Sequence, residues 1–175
     1  MKKSKLTLLI FMALCCALGM FAKKLVNPFA NIITDNLHIP GGISTGFSLM
    51  FLVIAAELTR YRHSGTMMGA VQGGLALITG RVGSMGIFMP LGYLMPGVAI
   101  DLVYGLAKKW SREERMVCAN AVAAVTASLT ANLLVFHLWG AVLFLYLAVS
   151  AFSGFVFGLL STVLVKRITP IIRYL

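Results

Sequence analysis

Residues 140–165 read GAVLFLYLAVSAFSGFVFGLLSTVLV and contain no charged side chain. About 20 consecutive apolar residues in a helix are enough to cross the hydrocarbon core of a bilayer. A surface helix of a soluble domain needs a polar face as well as an apolar one, and this stretch offers no such face. Residues 140–165 therefore predict a membrane-spanning helix and place the chain among integral membrane proteins.

Apolar runs near this length recur along the chain, which has 175 residues, of which 59% are hydrophobic and 11% are charged. The third run is short and rich in glycine, and the fourth contains Pro90 and Pro96. We predict an all-α integral membrane fold, a six-transmembrane-helix bundle that forms a single membrane domain over residues 1–175. The predicted helices lie at about 6–22, 43–59, 65–80, 86–107, 115–137 and 140–165.

The first apolar run follows a basic start, as it does in a secretory signal peptide. The run from Leu6 to Ala22 is longer than the apolar core of a usual signal peptide, and Lys23 and Lys24 follow it. We therefore predict a helix that is retained, followed by a loop over residues 23–42.

The basic residues are distributed unevenly between the two sides of the predicted bundle. If the N-terminus faces the cytoplasm, all but three of the 15 Lys and Arg residues lie on that side, the exceptions being Lys23, Lys24 and Arg81. Cytoplasmic loops of membrane proteins carry an excess of Lys and Arg. Both termini are therefore expected in the cytoplasm, with 23–42 as an extracellular lid loop. The same bias accounts for the net charge of +10, so we do not expect nucleic acid as a partner.

Polar side chains inside membrane spans are costly and usually face the interior of a bundle. On the predicted topology, Gln72, Tyr93, Asn132 and His137 suit a substrate pocket that opens outward, with Trp139 stacking on a ring of the substrate. These residues are our main candidates for substrate binding.

Two further polar residues lie in predicted spans. Asp101, in the fourth, either lies in a polar pocket or relay or is reached by the snorkelling side chain of Lys108. Asn120, in the fifth, is expected to make an interhelical hydrogen bond. Asp101 is therefore a candidate substrate contact, and Asn120 is a structural residue.

Short patterns also predict local structure. Ser111 and Glu114 have the spacing of a capping box at the start of a helix. Gly69, Gly73 and Gly74 either let two helices pack closely or interrupt a span at a transport site. The structure can decide between these two alternatives.

The stretch LHIPGG, residues 37–42, ends the predicted lid loop. Its proline and two glycines are typical of a turn before a helix, so we interpret it as a hinge at the end of the lid. His38 is then a candidate contact to substrate. A metal site is the lesser alternative, because only Asp35 and Asn36 are nearby ligands.

The chain carries no motif for catalysis. It contains no P-loop, and residues 83–86, GSMG, lack the first glycine of the nucleophile motif G-x-S-x-G. Cys15, Cys16 and Cys118 lie in predicted spans without the spacing of a metal site. We predict that the chain is not an enzyme and holds no metal and no cofactor of its own.

The topology and one short motif resemble a known family. Six spans in 175 residues, both termini inside and a long outer loop after the first helix resemble the substrate-binding S component of an energy-coupling factor (ECF) transporter. Ala13 and Ala17 are similar to the AxxxA pattern by which S components pack on their transmembrane T component. Residues 46–110, with an acid at Asp101, are most similar to the YkoE type, which is associated with hydroxymethylpyrimidine and thiamine uptake.

This resemblance implies a function and its partners. The chain would be a multi-pass protein of the bacterial or archaeal cell membrane that captures a small vitamin or vitamin precursor from outside. The bundle would topple in the bilayer, driven by ATP hydrolysis in two separate ABC ATPase subunits. Ala13 and Ala17 would face the T component, and substrate would lie in the outer half, under the lid.

Two alternatives stay open. S components of the cobalt/nickel type begin Met-His-Ile-Pro-x-Gly, to which LHIPGG is similar, but the stretch here is internal and 44–47 lacks that family's later histidine. A non-transporting membrane scaffold or assembly protein, whose small-residue faces bind only partner helices, belongs to a different functional class. Saturable binding of a small molecule would separate a transporter subunit from a scaffold.

Overall fold

The computed structural model describes the backbone of residues 5–37, 43–80 and 83–174, and the side chains of 6–26, 28, 44–80 and 85–170. A 3-10 turn over Gly83–Phe88 precedes the fourth helix, and a π-helical turn over Asn132–Phe136 follows the fifth. Within the described backbone there are six α-helices, which are α1 (Lys5–Leu37), α2 (Ile43–Thr59), α3 (Ser64–Ile78), α4 (Met89–Leu106), α5 (Arg112–Ala131) and α6 (Gly140–Tyr174).

Each predicted span corresponds to one helix, which confirms the all-α prediction. α2 and α3 are short, with 17 and 15 residues, and a 15-residue helix is only about 22 Å long against a hydrocarbon core of about 30 Å. Four helical segments within the described ranges are long and apolar enough to cross a membrane, namely Leu6–Val26, Met85–Leu106, Arg112–Phe136 and Gly140–Pro170. The protein therefore has the helices that membrane embedding requires.

The segment after the first span corrects the sequence prediction. We predicted a lid loop over 23–42, but α1 continues to Leu37 with Pro28 inside it. A proline removes one backbone donor and can kink a helix without ending it. Lys23 does not end the helix either, because its ammonium lies over the ring of Tyr93 inside the bundle. Residues 38–42, which include His38, lie outside the described residues.

Contacts between helix termini define the two ends of the bundle. The Arg112 guanidinium donates to Thr169 Oγ1 at 3.3 Å, which brings the start of α5 beside α6 near its end. The carboxylate of Asp101, near the end of α4, accepts from the Gly65 N–H at the start of α3 at 2.9 Å. We call this the basic end, where α2 and α4 end and α3 and α5 begin. At the far end, α3 and α5 end and α4 and α6 begin.

α2 lies at the centre of the bundle, in contact with α1, α3, α5 and α6. Its residues Leu52, Val53 and Ala55 are fully buried. α5 contributes fully buried alanines, among them Ala119 and Ala123, to the same core. Small side chains at a helix interface let the two backbones approach closely. Apolar residues of α2 therefore pack beside a narrow face of α5 at the centre of the core, to which the other four helices also contribute buried residues.

Asn120 joins three helices, which confirms its predicted interhelical hydrogen bond. Its Nδ2 donates to the carbonyl of Gly46 on α2 at 3.2 Å and to that of Gly154 on α6 at 2.8 Å. Neither glycine has room for a side chain, since a Cβ at Gly46 would lie 2.6 Å from Ser153 Oγ and one at Gly154 2.7 Å from Ala121 Cα. The glycines thus bring the carbonyls within reach of one buried amide.

α5 begins with the predicted capping box. The Ser111 hydroxyl accepts from the Glu114 N–H at 3.2 Å, and the Glu114 carboxylate accepts from the Ser111 N–H at 3.0 Å. Each side chain thereby satisfies a backbone donor that the helix terminus would leave unpaired. These two hydrogen bonds confirm the prediction. It could be made from sequence because the two residues are only three positions apart.

Glycines set the distance between α3 and α4. A Cβ at Gly69 would lie 2.5 Å from the carbonyl oxygen of Tyr93, and one at Gly73 would lie 2.8 Å from Pro90 Cα. A Cβ at Gly74 would meet nothing within 4 Å. Close packing is therefore the role of Gly69 and Gly73, and Gly74 does not share it.

Replacing these glycines by alanine tests the close contact. We expect Gly69→Ala to lower the free energy of unfolding by roughly 1–3 kcal/mol, because the new methyl group would force the two backbones apart. The matched control Gly74→Ala should leave stability unchanged or raise it by up to about 1 kcal/mol through helix propensity. Denaturant titration in detergent measures both, and equal effects would contradict the packing described here.

Candidate functional site

A small pocket of about 80 Å³ lies between the helices in the half of the bundle nearer the far end. We call it the far-half pocket. Its apolar wall includes Leu49, Met85, Met89 and Pro96. All six helices contribute a polar side chain to its lining, and these are Lys23 (α1), Thr45 and Ser48 (α2), Gln72 (α3), Tyr93 (α4), Ser128 (α5) and Tyr146 (α6).

Gln72 is held in the pocket by α1. Its side chain is buried, and Nε2 donates to the carbonyl of Cys16 at 3.1 Å. Gly19, one turn further along α1, makes room for the amide, since a Cβ there would lie 3.1 Å from Gln72 Nε2. The Nε2 group of the Gln72 amide is therefore already bound by a backbone carbonyl of the protein. Its orientation is fixed by contact between α1 and α3.

Lys23 and Tyr93 form the wall between α1 and α4. Lys23 Nζ lies 5.2 Å from the centroid of the Tyr93 ring, within the range of a cation–π interaction. Both side chains are half-buried. The negative face of the ring partly replaces the water that the ammonium loses. A lysine is thereby tolerated at a position that lines the pocket.

Hydroxyl groups line the side formed by α5 and α6. The hydroxyls of Ser128 and Ser150, both buried, share a hydrogen bond at 2.5 Å between the two helices. The ring of Tyr146, also buried, packs edge-on against Phe136 with centroids 6.1 Å apart. These contacts hold Ser128 and Tyr146 in place, so that α5 and α6 present a hydroxyl group and an aromatic ring to the pocket.

Two of the predicted substrate-binding residues, Gln72 and Tyr93, line the same pocket. His38 lies outside the described residues, so its predicted contact with substrate stays a prediction. No group of three His, Cys, Asp or Glu side chains that could hold a metal ion occurs among the residues that the structure describes.

Three other predicted residues do not line this pocket. Asn132 is buried, but its side chain binds the backbone of Leu138, accepting from the N–H at 2.7 Å and donating to the carbonyl at 3.3 Å. It therefore holds the turn between α5 and α6. His137, in that turn, is exposed, and Trp139 is 83% exposed at the far end. Tryptophan is enriched at such positions because its ring suits the membrane–water interface.

Asp101 lies at the basic end, away from the far-half pocket. Its carboxylate accepts from the N–H groups of Gly65 and Thr66 at 2.9 and 2.7 Å and from the Thr66 hydroxyl at 2.6 Å. His63 precedes α3 but provides no capping side-chain hydrogen bond. Since a helix N-terminus carries unpaired N–H groups and partial positive charge, the acid on α4 stabilises the start of α3.

A second, larger cavity of about 640 Å³ opens at the basic end. Its lining contains the two acidic residues Glu57 and Asp101, both of which are already bound by other groups of the protein. The remaining ionisable lining residues, apart from tyrosines, are of basic type, namely Arg60, Arg62, His63, Lys108 and Arg115. This cavity is larger, but both of its carboxylates are bound by groups of neighbouring helices.

Glu57 is the centre of that charge cluster. Its carboxylate is fully buried and accepts from Arg115 Nη2 at 3.0 and 3.3 Å, while Arg112 Nε lies 3.1 Å from Oε1 without hydrogen-bond geometry. Arg60, which directly follows α2, is more distant at 4.0 Å and exposed. The Arg115 guanidinium also lies 5.1 Å from the Tyr104 ring centroid. The cluster therefore joins α2, α4 and α5.

The sequence interpretation missed Lys23, Ser48 and Ser128 as pocket residues. Lys23 was placed in an outer loop because a lysine after an apolar run usually marks the end of a span. Cys16, Gly19 and Lys23 follow helical spacing, three and four residues apart, and therefore share one face of a continuous helix. That spacing was the available signal. The serines carry no comparable signal, since serine is common on both buried and exposed helix faces.

Comparison with known proteins does not assign a function to this pocket. The chain matches no protein-family model, no curated protein and no solved structure. The resemblance to S components therefore depends on the sequence pattern, and the pocket geometry is independent of it.

The buried charge cluster makes a testable contribution to stability. We expect Glu57→Gln to lower the free energy of unfolding by roughly 2–3 kcal/mol, because two arginines would lose their buried counter-charge. In the control Glu113→Gln, the lost pair with Lys166 is exposed on both sides, and the change should be below about 1 kcal/mol. Thermal unfolding in detergent measures both. Similar losses in the two variants would contradict the role given to Glu57.

Proposed function

We propose that this chain is a membrane-embedded binding subunit that captures a small ring-shaped molecule for uptake, as an S component of an ECF-type ABC importer. The observation that carries the proposal is the convergence of polar side chains from all six helices on one pocket. Polar groups at membrane depth commonly mark substrate pathways, and ligand sites in bundles form between helices.

The size and lining of the far-half pocket support a small ligand. Its volume of about 80 Å³ is well below the roughly 300–1,000 Å³ of sites for drug-sized molecules. Tyr93 and Tyr146 offer aromatic surfaces, and Gln72, Ser48 and Ser128 offer groups that hydrogen-bond. A single heteroaromatic ring, such as that of a vitamin or a vitamin precursor, fits this combination of a flat apolar wall and a few polar contacts.

The charge distribution supports an orientation. Basic residues gather where α2 and α4 end and where α5 begins, including Arg60, Lys108 and Arg112. By the positive-inside rule this end faces the cytoplasm. The far-half pocket then lies in the outer half of the membrane, where it would receive substrate from outside a bacterial or archaeal cell.

The exposed face of α1 supports a partner helix. Ala13 and Ala17 are exposed, four residues apart, among large exposed apolar residues such as Leu14 and Leu18. Two small residues at this spacing form a shallow groove into which a second helix can pack. We propose that a T component, which in turn binds two ABC ATPase subunits, occupies this groove and couples ATP hydrolysis to toppling of the bundle.

Replacing the amide of Gln72 tests ligand capture. With a panel of thiamine, its precursor hydroxymethylpyrimidine and vitamins that contain a single ring, we expect at least one saturable thermal shift in wild type. Gln72→Met keeps the volume and removes the amide, and the Kd should rise about tenfold through the loss of one hydrogen bond. The control Val71→Leu changes an exposed neighbour and should bind like wild type. No saturable shift with any ligand would favour the membrane scaffold.

Co-purification tests the partner. We expect Ala13→Leu combined with Ala17→Leu to abolish the complex with a co-expressed T component, because two larger side chains would fill the groove. Ala70→Leu, at an exposed alanine on α3, should leave the complex intact. A complex that survives the double substitution would contradict docking on this face of α1, whatever the pocket binds.

A further inference from the structure

The far-half pocket has charge of one sign only. Lys23 lines it, and none of its other lining residues is acidic or basic. The remaining polar contributions are hydroxyls of serine, threonine and tyrosine and the amide of Gln72. A molecule bound here would therefore face one ammonium group and several neutral groups.

Lys23 takes part in none of the ion pairs formed by the residues that the structure describes. Its described contact is the face of the Tyr93 ring. An ammonium has three N–H donors, and the face of one ring does not engage all three of them. A half-buried cation with an incomplete set of partners attracts an anion more strongly than an exposed one does.

The acidic side chains that the structure describes are too distant to serve as that anion. Glu57, Asp101, Glu113 and Glu114 lie at the basic end, on the other side of the bundle from the pocket. The fifth acidic side chain of the sequence, that of Asp35, lies outside the described side chains.

We infer that the far-half pocket selects an anion, a single-ring molecule that carries one carboxylate, with the carboxylate at Lys23 Nζ and the ring beside Tyr93. The inference rests on the proposed function, since it names the class of substrate that the pocket would capture. A charge-assisted hydrogen bond from the ammonium to a carboxylate is stronger than one to a neutral acceptor. A thiamine-like cation would meet a like charge in a site of low dielectric.

The single lysine further restricts the anion. Its one positive charge matches a carboxylate better than a phosphate ester, which is more highly charged. Combined with one lysine, a monoanion gives a site with no net charge. A doubly charged group would leave one negative charge unpaired in an apolar bundle.

Three probes of nearly equal shape test this selection. Benzoate, benzamide and benzamidine carry one negative charge, no charge and one positive charge on the same ring. Their Kd values are measured by thermal shift and calorimetry on the full chain in detergent. We expect benzoate to bind about tenfold tighter than benzamide, and benzamidine to give no saturable binding.

Two adjacent lysines provide a matched pair of variants. Lys23→Met preserves side-chain length and should weaken benzoate about tenfold while leaving benzamide within about threefold of wild type. Retained benzamide binding shows that this variant is folded. Lys24 is exposed and outside the pocket lining, so Lys24→Met should change neither affinity by more than about twofold.

The outcomes separate the inference from the proposed function. Benzamide or benzamidine binding tighter than benzoate, in a manner that Gln72→Met weakens, would overturn the anion assignment and leave ligand capture intact. Equal loss of benzoate in Lys23→Met and Lys24→Met would also overturn it. If none of the probes binds wild type, both the anion assignment and the capture of a single ring are overturned.

Discussion

A polar group inside an apolar helix bundle must find a partner, and this constraint organises the whole structure. Near the basic end the partners are other groups of the chain. Glu57 is bound by Arg115 and contacted by Arg112, and Asp101 binds the start of α3. In the far half, polar side chains from six helices converge instead on the lining of one pocket. The first set holds the helices in place. Gln72 and Ser128 of the second set also bond to neighbouring helices, and we propose that this second set receives a ligand.

Small residues let the helices approach closely enough to bring these polar groups together. Gly69 lets α4 approach α3 closely enough to fix the position of Tyr93, and Gly19 makes room for the Gln72 amide on α1. Gly154 brings a carbonyl of α6 to Asn120. A chain with so few charged residues thus uses backbone proximity, rather than long polar side chains, to position its hydrogen-bonding groups. Structure and binding surface depend on the same close contacts.

Much of the fold could be predicted from sequence, because helix formation and span length follow from apolar runs and local spacing. The Ser111–Glu114 capping box belongs to this class. The Asn120 hydrogen bonds were predictable for a different reason, since a polar side chain inside a span usually faces the bundle and needs a partner on another helix. The helix over residues 23–37 could not be predicted, since Lys23 and Pro28 are usual signs of a span's end and their tolerance depends on tertiary packing against Tyr93. Gln72 and Tyr93 were predicted as pocket residues together with Asn132 and His137, and of these four only Gln72 and Tyr93 line the far-half pocket. The role of Asn132 depends on a turn whose shape no spacing specifies.

We propose that the far-half pocket is a ligand site whose selectivity is governed by Lys23. The most direct measurement is native mass spectrometry of the protein extracted from its own cells, with identification of any small molecule that stays bound. We expect a single-ring carboxylic acid that is present in wild type and Lys24→Met and absent from Lys23→Met. A bound thiamine-like cation, or a molecule retained equally by Lys23→Met, would contradict it.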